Sequence, residues 1–230
     1  MLTLNTQPAE KAIHREDGSL DVVNIWSTIQ GEGPFAGTPA VFVRLGGCNL
    51  TCPRCDTDYT TSRKLHSVGE LMDKVQESMG NSSLIVLTGG EPFRQNIGRF
   101  CNALLNRDFR VQIETNGTLY QPEVPYSHLS IVCSPKTPKL SSELAPHITA
   151  YKYILEAGKV SEEDGLPLSS LGMPTPPARP HNGCFGEVFV QPLDEQDEER
   201  NKLHRHAAVE SCMKFGYRLS LQIHKYLNLE

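Results

Sequence analysis

Three cysteines stand within the stretch "GGCNLTCPRCDT" (46–57): Cys48, Cys52 and Cys55, a C-x3-C-x2-C run. Thiols this close together cannot all pair with one another in disulfides, so the run points to thiolate chemistry. Structural zinc takes four ligands, usually as two separated pairs. The remaining cysteines, Cys101, Cys133, Cys184 and Cys212, are scattered and form no second C-x-x-C. His204 and His206 are two apart on an expected helix and cannot face one ligand together. A zinc-binding interaction module is therefore an alternative that lacks a ligand. A 4Fe-4S cluster normally takes four cysteines. Three would leave one iron open, a position where a small molecule can ligate.

Other residues could serve a substrate. In "TIQGEG" (28–33), Gly31 and Gly33 suit a turn. A turn alone does not explain Gln30 and Glu32 beside them. The Glu32 carboxylate is a two-pronged acceptor, suited to adjacent N–H groups of a guanine-like or pterin-like ring. Arg44 ends the first main strand, where it suits a bidentate grip on a substrate carboxylate; a structural ion pair is the alternative. His224 follows the last expected strand, and the terminal carboxylate of Glu230 is close behind it. Lys136, in "SPK", also follows a strand; it reads either as a solvated charge or as a site residue.

These residues need elements to hold them. The 230 residues are 38% hydrophobic and 21% charged, a globular composition long enough for a substantial core. Short apolar strands are expected at 40–45, 84–88, 111–115, 130–134, 151–155, 187–191 and 218–222. Several are near-continuous Val and Ile runs, as in strands buried on both faces of a parallel sheet. Helices are expected between them. "SVGELMDKVQESM" opens on a Ser67–Glu70 capping box, "IGRFCNALLN" repeats the periodicity, and 194–215 reads as a charged surface helix stopped by Gly216. The alternation implies an α/β architecture, open or closed into a barrel. Residues 1–20 read as a loose polar tail and 21–230 as one domain, with an irregular Pro-rich insertion at about 158–183. The net charge of -5 argues against a broad nucleic-acid surface. The N-terminus lacks the pattern of a signal peptide, and no apolar run approaches the roughly 18 residues a membrane span needs. A cytoplasmic protein that binds neither membrane nor nucleic acid directly is expected.

"TIQGEG", Arg44, "CDT", "TGGEP", "ETNGT", "SPK", "VQPLDE" and "LQIHKYL" run in order from about residue 24 to the C-terminus. Together they resemble the 7-carboxy-7-deazaguanine synthases of the radical S-adenosylmethionine superfamily. The resemblance implies a reduced (incomplete) TIM-like (β/α) barrel. It implies a carbon–nitrogen lyase that converts 6-carboxy-5,6,7,8-tetrahydropterin to 7-carboxy-7-deazaguanine with loss of ammonia, a step toward queuosine and archaeosine. It implies a 4Fe-4S cluster held by Cys48, Cys52 and Cys55, with S-adenosylmethionine on the open iron, and Mg2+ at Thr57. Gly90, Glu91, Ser134, Pro135, Lys136 and the stretch Gln191, Pro192, Leu193, Asp194 would meet S-adenosylmethionine. Ile29, Gln30, Gly31, Glu32, Arg44, Thr88, His224 and Glu230 would line the substrate pocket. A one-electron reductant such as flavodoxin or ferredoxin, and a homodimer, are also implied. One departure stands out: the residue before the last cysteine is usually aromatic in the superfamily, and here it is Arg54, to which no role is assigned. A glycyl-radical activating enzyme would share the cysteines, but it acts on a protein and has no need of "QGEG" or "QIHK".

Overall fold

The computed structural model describes residues 4–181 and 187–229. Its architecture follows from a period of two. In β2 (Pro39–Leu45) and β4 (Leu84–Gly89), Val41, Val43, Leu45, Ile85 and Leu87 join the main core, whereas Ala40, Phe42, Leu84 and Val86 face the other way. The same division holds in β5 (Arg110–Thr115), β6 (Leu129–Cys133), β7 (Ala150–Leu155) and β8 (Glu187–Pro192). One set of side chains meets the covering helices; the other fills a second, concave face. Toward the strand ends that second face turns polar: Arg44, Thr88, Glu114, Lys152 and Gln191 occupy it.

The strands form one nine-stranded sheet among the described residues, in the order β3-β1-β2-β4-β5-β6-β7-β8-β9. From β2 through β9 (Arg218–Leu219) the pairing is parallel. β1 (Leu20–Ile29) and β3 (Lys64–His66) add antiparallel pairs at one edge. The sheet curves without closing, giving the incomplete barrel. Three helices cover its outer face: α1 (Val68–Ser78), α2 (Gly98–Leu105) and α3 (Glu198–Phe215). The expected capping box is formed, with Ser67 Oγ accepting from Glu70 N at 3.3 Å and Glu70 Oε2 from Ser67 N at 2.8 Å. Gly216 ends α3 at φ 76°, a left-handed stop that glycine takes without a Cβ clash.

Four expectations need correction. The β5–β6 and β6–β7 connections carry single 3-10 turns, Tyr126–His128 and Ala145–His147, in place of helices; Pro122, Pro125, Pro138 and Pro146 remove the donors a helix would need. The last strand pairs only over Arg218–Leu219, against Phe189–Val190, and the chain then turns into the short α4 (Ile223–Tyr226). The surface helix begins at Glu198 because Asp197 caps it, accepting from Arg200 N at 3.1 Å. Finally, residues 5–13 of the expected tail are not loose. Asn5 N donates to Pro53 O, Glu10 N to Cys48 O and Ile13 N to Arg94 O, at 2.7–2.8 Å. This segment is held by hydrogen bonds more than by apolar burial, so its composition hid its order. The described part of the Pro-rich stretch packs on the same body: Tyr153 Oη donates to Ala178 O and Tyr217 Oη to Asp164 O, each at 2.7 Å.

Candidate active site

The loops that follow β2, β4, β5, β6 and β8 enclose a cavity of about 390 Å3 at the C-terminal end of the parallel strands, where barrel enzymes place their chemistry. Cys48, Cys52 and Cys55 all reach its wall, with Arg54, Asp56 and Thr57 beside them. Cys48 and Cys52 are buried; Cys55 is partly exposed. A glycine-permitted approach brings the loops together. A Cβ on Gly90 would fall 2.1 Å from Gly47 O, so the β4 loop lies directly against the cysteine loop. Gly90 N also donates to Leu45 O and Glu91 N to Gly47 O. Burial pushes the Cys48 thiol up to about 12 and raises those of Cys52 and Cys55; coordination to iron would expel these protons. Among the described residues no three His, Cys, Asp or Glu side chains gather tightly enough for a single metal ion. Three thiols on one cavity wall fit a cluster whose irons take separate ligands.

Opposite the cysteines lies a network of charges. Glu32 pairs with the Lys152 ammonium through Oε2, and its Oε1 accepts from Gln191 Nε2 at 3.2 Å and Gln222 Nε2 at 2.8 Å. Burial works to raise the Glu32 carboxyl, but Lys152 and Gln222 outweigh it and hold it well below the usual carboxylate range. Burial likewise works against the Lys152 charge, and the Glu114 and Glu32 carboxylates overcome it, so Lys152 titrates above its ordinary range. Glu114 Oε1 accepts from Gln30 Nε2 (3.1 Å) and Gln112 Nε2 (3.0 Å), and its Oε2 from Thr88 Oγ1 (3.2 Å). Each carboxylate thus receives three donors and keeps one of about four acceptor positions. Arg44 stacks over the Trp26 ring, 4.8 Å from its centroid. Its Nε is buried without a hydrogen-bond partner, as is Thr28 Oγ1. Buried polar atoms without partners are uncommon, and these two belong to residues that line the cavity.

Of the residues expected to serve a substrate, Ile29, Gln30, Glu32, Arg44, Thr88 and His224 line the cavity. Gly31 lies beneath His224: a Cβ there would fall 1.9 Å from His224 Nδ1, and Ile223 N donates to Gly31 O at 3.2 Å. This contact carries the C-terminal segment across the open side of the barrel. Burial lowers the His224 pKa, favouring the neutral ring. Glu230 lies outside the described residues. Of those expected to meet a cosubstrate, Gly90, Ser134, Lys136, Gln191, Pro192, Leu193 and Asp194 line the cavity, and Pro135 does not. Lys136 is buried, with Nζ donating to Ser134 O at 2.9 Å; it is not a solvated charge. Glu91 is fully buried behind the wall. It accepts from Phe93 N (3.1 Å), Thr115 Oγ1 (2.7 Å) and Asn116 N (2.7 Å), and burial pushes it up to about 7. It ties the β4 and β5 loops together rather than facing a ligand. Asp194 braces α4 through Lys225 at 2.6 Å.

Trp26 and Lys152 were not anticipated, Glu114 only as part of "ETNGT" and Gln222 only as part of "LQIHKYL". Lys152, Gln112 and Glu114 did leave a signal: each is a polar residue interrupting an apolar strand. Arg54 bridges Glu156 (3.2 Å) and Glu195 (3.1 Å), pinning the cysteine loop to the ends of β7 and β8.

Residues 42–125 match the family described as the Radical SAM superfamily. The chain is 44% identical over 221 residues to the 7-carboxy-7-deazaguanine synthase of Rhodospirillum rubrum, covering 92% of this chain and 93% of that protein. It is 40% identical over 233 residues to the enzyme of the same name from Rickettsia prowazekii, covering 96% and 94%. The crystal structure of QueE from Escherichia coli shares the fold, with a TM-score of 0.67 at 20% identity over 88% of this chain and 93% of that one.

Proposed function

The chain belongs to the 7-carboxy-7-deazaguanine synthases of the radical SAM superfamily, and we propose from that premise how its cavity converts 6-carboxy-5,6,7,8-tetrahydropterin to 7-carboxy-7-deazaguanine and ammonia. One observation carries the reading: the Arg44 guanidinium, stacked on Trp26, belongs to a residue that lines the same cavity as the three cysteines. A substrate carboxylate there would satisfy it and set one end of the ring system. The free acceptor positions of Glu32 and Glu114 suit the ring N–H and exocyclic amine at the other end. Lys152 keeps Glu32 ionised, so that it accepts and does not donate. Neutral His224, seated on Gly31, closes the cavity against solvent.

Cys48, Cys52 and Cys55 hold a 4Fe-4S cluster. When bound, the cluster and S-adenosylmethionine supply the radical that takes hydrogen from the substrate. Gly90, Ser134, Lys136 and the stretch 191–194 hold S-adenosylmethionine; Glu91 and Pro135 act from behind the wall. Thr57 meets Mg2+, which takes few protein ligands and keeps its waters. A one-electron reductant such as flavodoxin or ferredoxin serves the cluster. A homodimer is proposed from the resemblance to the family alone. No helix among the described residues is long and apolar enough to cross a membrane. The free thiols suit the reducing cytoplasm, and the acidic charge suits an enzyme that does not touch tRNA.

The test is anaerobic turnover of the carboxylated pterin by reconstituted protein with S-adenosylmethionine, reductant and Mg2+, followed by mass. Product from the parent and none from Cys52→Ala is expected. Cleavage of S-adenosylmethionine with the pterin left intact would overturn the substrate assignment and favour an activase.

A further inference from the structure

The N-terminal segment runs directly along the cysteine loop. Asn5 donates twice, from its backbone N to Pro53 O at 2.8 Å and from Nδ2 to Cys52 O at 3.2 Å. Gln7 Nε2 donates to Thr57 O at 2.9 Å, while its Oε1 accepts from Tyr59 N at 2.7 Å and Thr60 Oγ1 at 3.2 Å. Glu10 N donates to Cys48 O at 2.7 Å, within the parallel bridge of Ala9 to Cys48. The loop's own backbone contributes Cys55 N to Cys52 O at 3.1 Å. The carbonyls of Cys48, Cys52, Pro53 and Thr57 therefore take donors from residues 5–10. Tyr59, 1% exposed, lies between the two segments, its hydroxyl 3.4 Å from both Gln7 O and Leu50 O.

We propose that residues 5–10 are a strap that positions the cluster ligands, with Asn5 and Gln7 as its positioning residues. A loop that presents three thiols to one cluster needs its backbone fixed before metal arrives, because a ligand set is only as precise as its supporting contacts. Regular secondary structure does not supply that support here, since Cys48 to Thr57 lies beyond the end of β2 and before β3. The Gln7 side chain stands in for a strand neighbour, giving one donor and one acceptor to the backbone at Thr57 and Tyr59. Asn5 does the same work around Cys52. Glu10 anchors the strap through Arg63 at 2.7 Å and the fully buried Arg94 at 3.4 Å. The strap touches the ligand loop and not the substrate wall: none of residues 5–10 lines the cavity.

The inference rests on Cys48, Cys52 and Cys55 being the cluster ligands, which the parent's own iron content tests separately. The experiment compares the parent, Asn5→Ala/Gln7→Ala and Gln7→Ala after anaerobic reconstitution. It measures iron and sulfide per chain, the rate of iron loss to an excess of chelator, and the Tm of each apoprotein. The double variant removes the side-chain hydrogen bonds of Asn5 and Gln7 to Cys52, Thr57, Tyr59 and Thr60; because the net worth of one or two of them is about a factor of ten, it is expected to release iron at least roughly tenfold faster than the parent, with an apoprotein Tm within a few degrees. Gln7→Ala should fall between them, and it carries the test if the double variant does not fold. Equal release rates in an iron-loaded parent and its variants would overturn the strap alone. Faster release that merely tracks a falling apoprotein Tm would overturn it too. A parent that takes up no iron would sink the ligand assignment and the strap with it.

Discussion

Replacing Lys152 with Met should expose how much of the cavity is held by charge. The Lys152 and Glu32 side chains are 9% and 14% exposed, so little solvent is available to screen them. Breaking a buried pair by removing one partner typically costs about 3–5 kcal/mol, because the other charge stays buried. Gln191 and Gln222 still solvate Glu32, so the lower end, about 3 kcal/mol, is expected near pH 7.5. For a chain of this size that is a Tm decrease of roughly 6–12 °C. The pH dependence distinguishes this from lost packing. In the parent, Glu32 titrates below its ordinary 4.5, so its contribution is fully present above pH 4.5 and is lost only as pH falls through the depressed value. Lys152 titrates above 10.5, so its contribution is present below that and fades as pH rises further. The pair is thus flat across neutral pH. In Lys152→Met, burial acts on Glu32 without its main counter-charge and raises its pKa, so protonation on acidification relieves the strain. Urea denaturation of the apoprotein at pH 7.5 and pH 5.5 reads both quantities. The deficit should shrink by about 1 kcal/mol or more at the lower pH, and Glu32→Gln in the same chain should recover most of it. A deficit below about 1 kcal/mol at pH 7.5, or one identical at both pH values, would refute the ion-pair account, since a buried unpaired charge cannot be that cheap.

Arg44→Ala should raise KM for the carboxylated pterin by about 10–100-fold, the worth of one charged bidentate contact, while Arg44→Lys restores only part of it; steady-state kinetics checks both. Gly31→Ala places a Cβ 1.9 Å from His224 Nδ1. Because a side chain and not backbone must yield, stability should change by less than about 1 kcal/mol. Pterin affinity should fall several-fold, measurable through the fluorescence of the single tryptophan, Trp26. Arg54→Leu leaves Glu156 and Glu195 without their shared cation; because Arg54 is about a quarter exposed, thermal melts should show a loss of about 1–2 kcal/mol.

The cysteine loop, the parallel strands and the capped helices were legible because each has a local signature: a spacing, a run of β-branched residues, a capping box. β1 was not, although it carries "TIQGEG" at its end. A bulge between Val22 and Asn24 breaks its alternation, so "LDVVNIWSTI" presents no clean period of two. The strap was hidden because its order rests largely on amide hydrogen bonds. The partnership of Glu32 with Lys152 is set by the sheet, which brings residues of β7 to the turn after β1; no sequence spacing encodes it. Glu91 shows the reverse limit. It belongs to a recognisable motif, yet the fold uses it to join two loops, a contact that the motif alone does not distinguish from ligand binding.

The most direct test of the central claim, that three cysteines leave an open coordination position on the substrate cavity, is electron paramagnetic resonance of the reconstituted, reduced protein titrated with S-adenosylmethionine. A 4Fe-4S signal that changes on adding S-adenosylmethionine alone, with no pterin present, and that is absent in Cys52→Ala, is expected. A signal indifferent to S-adenosylmethionine, or a colourless protein holding one zinc per chain, would contradict it.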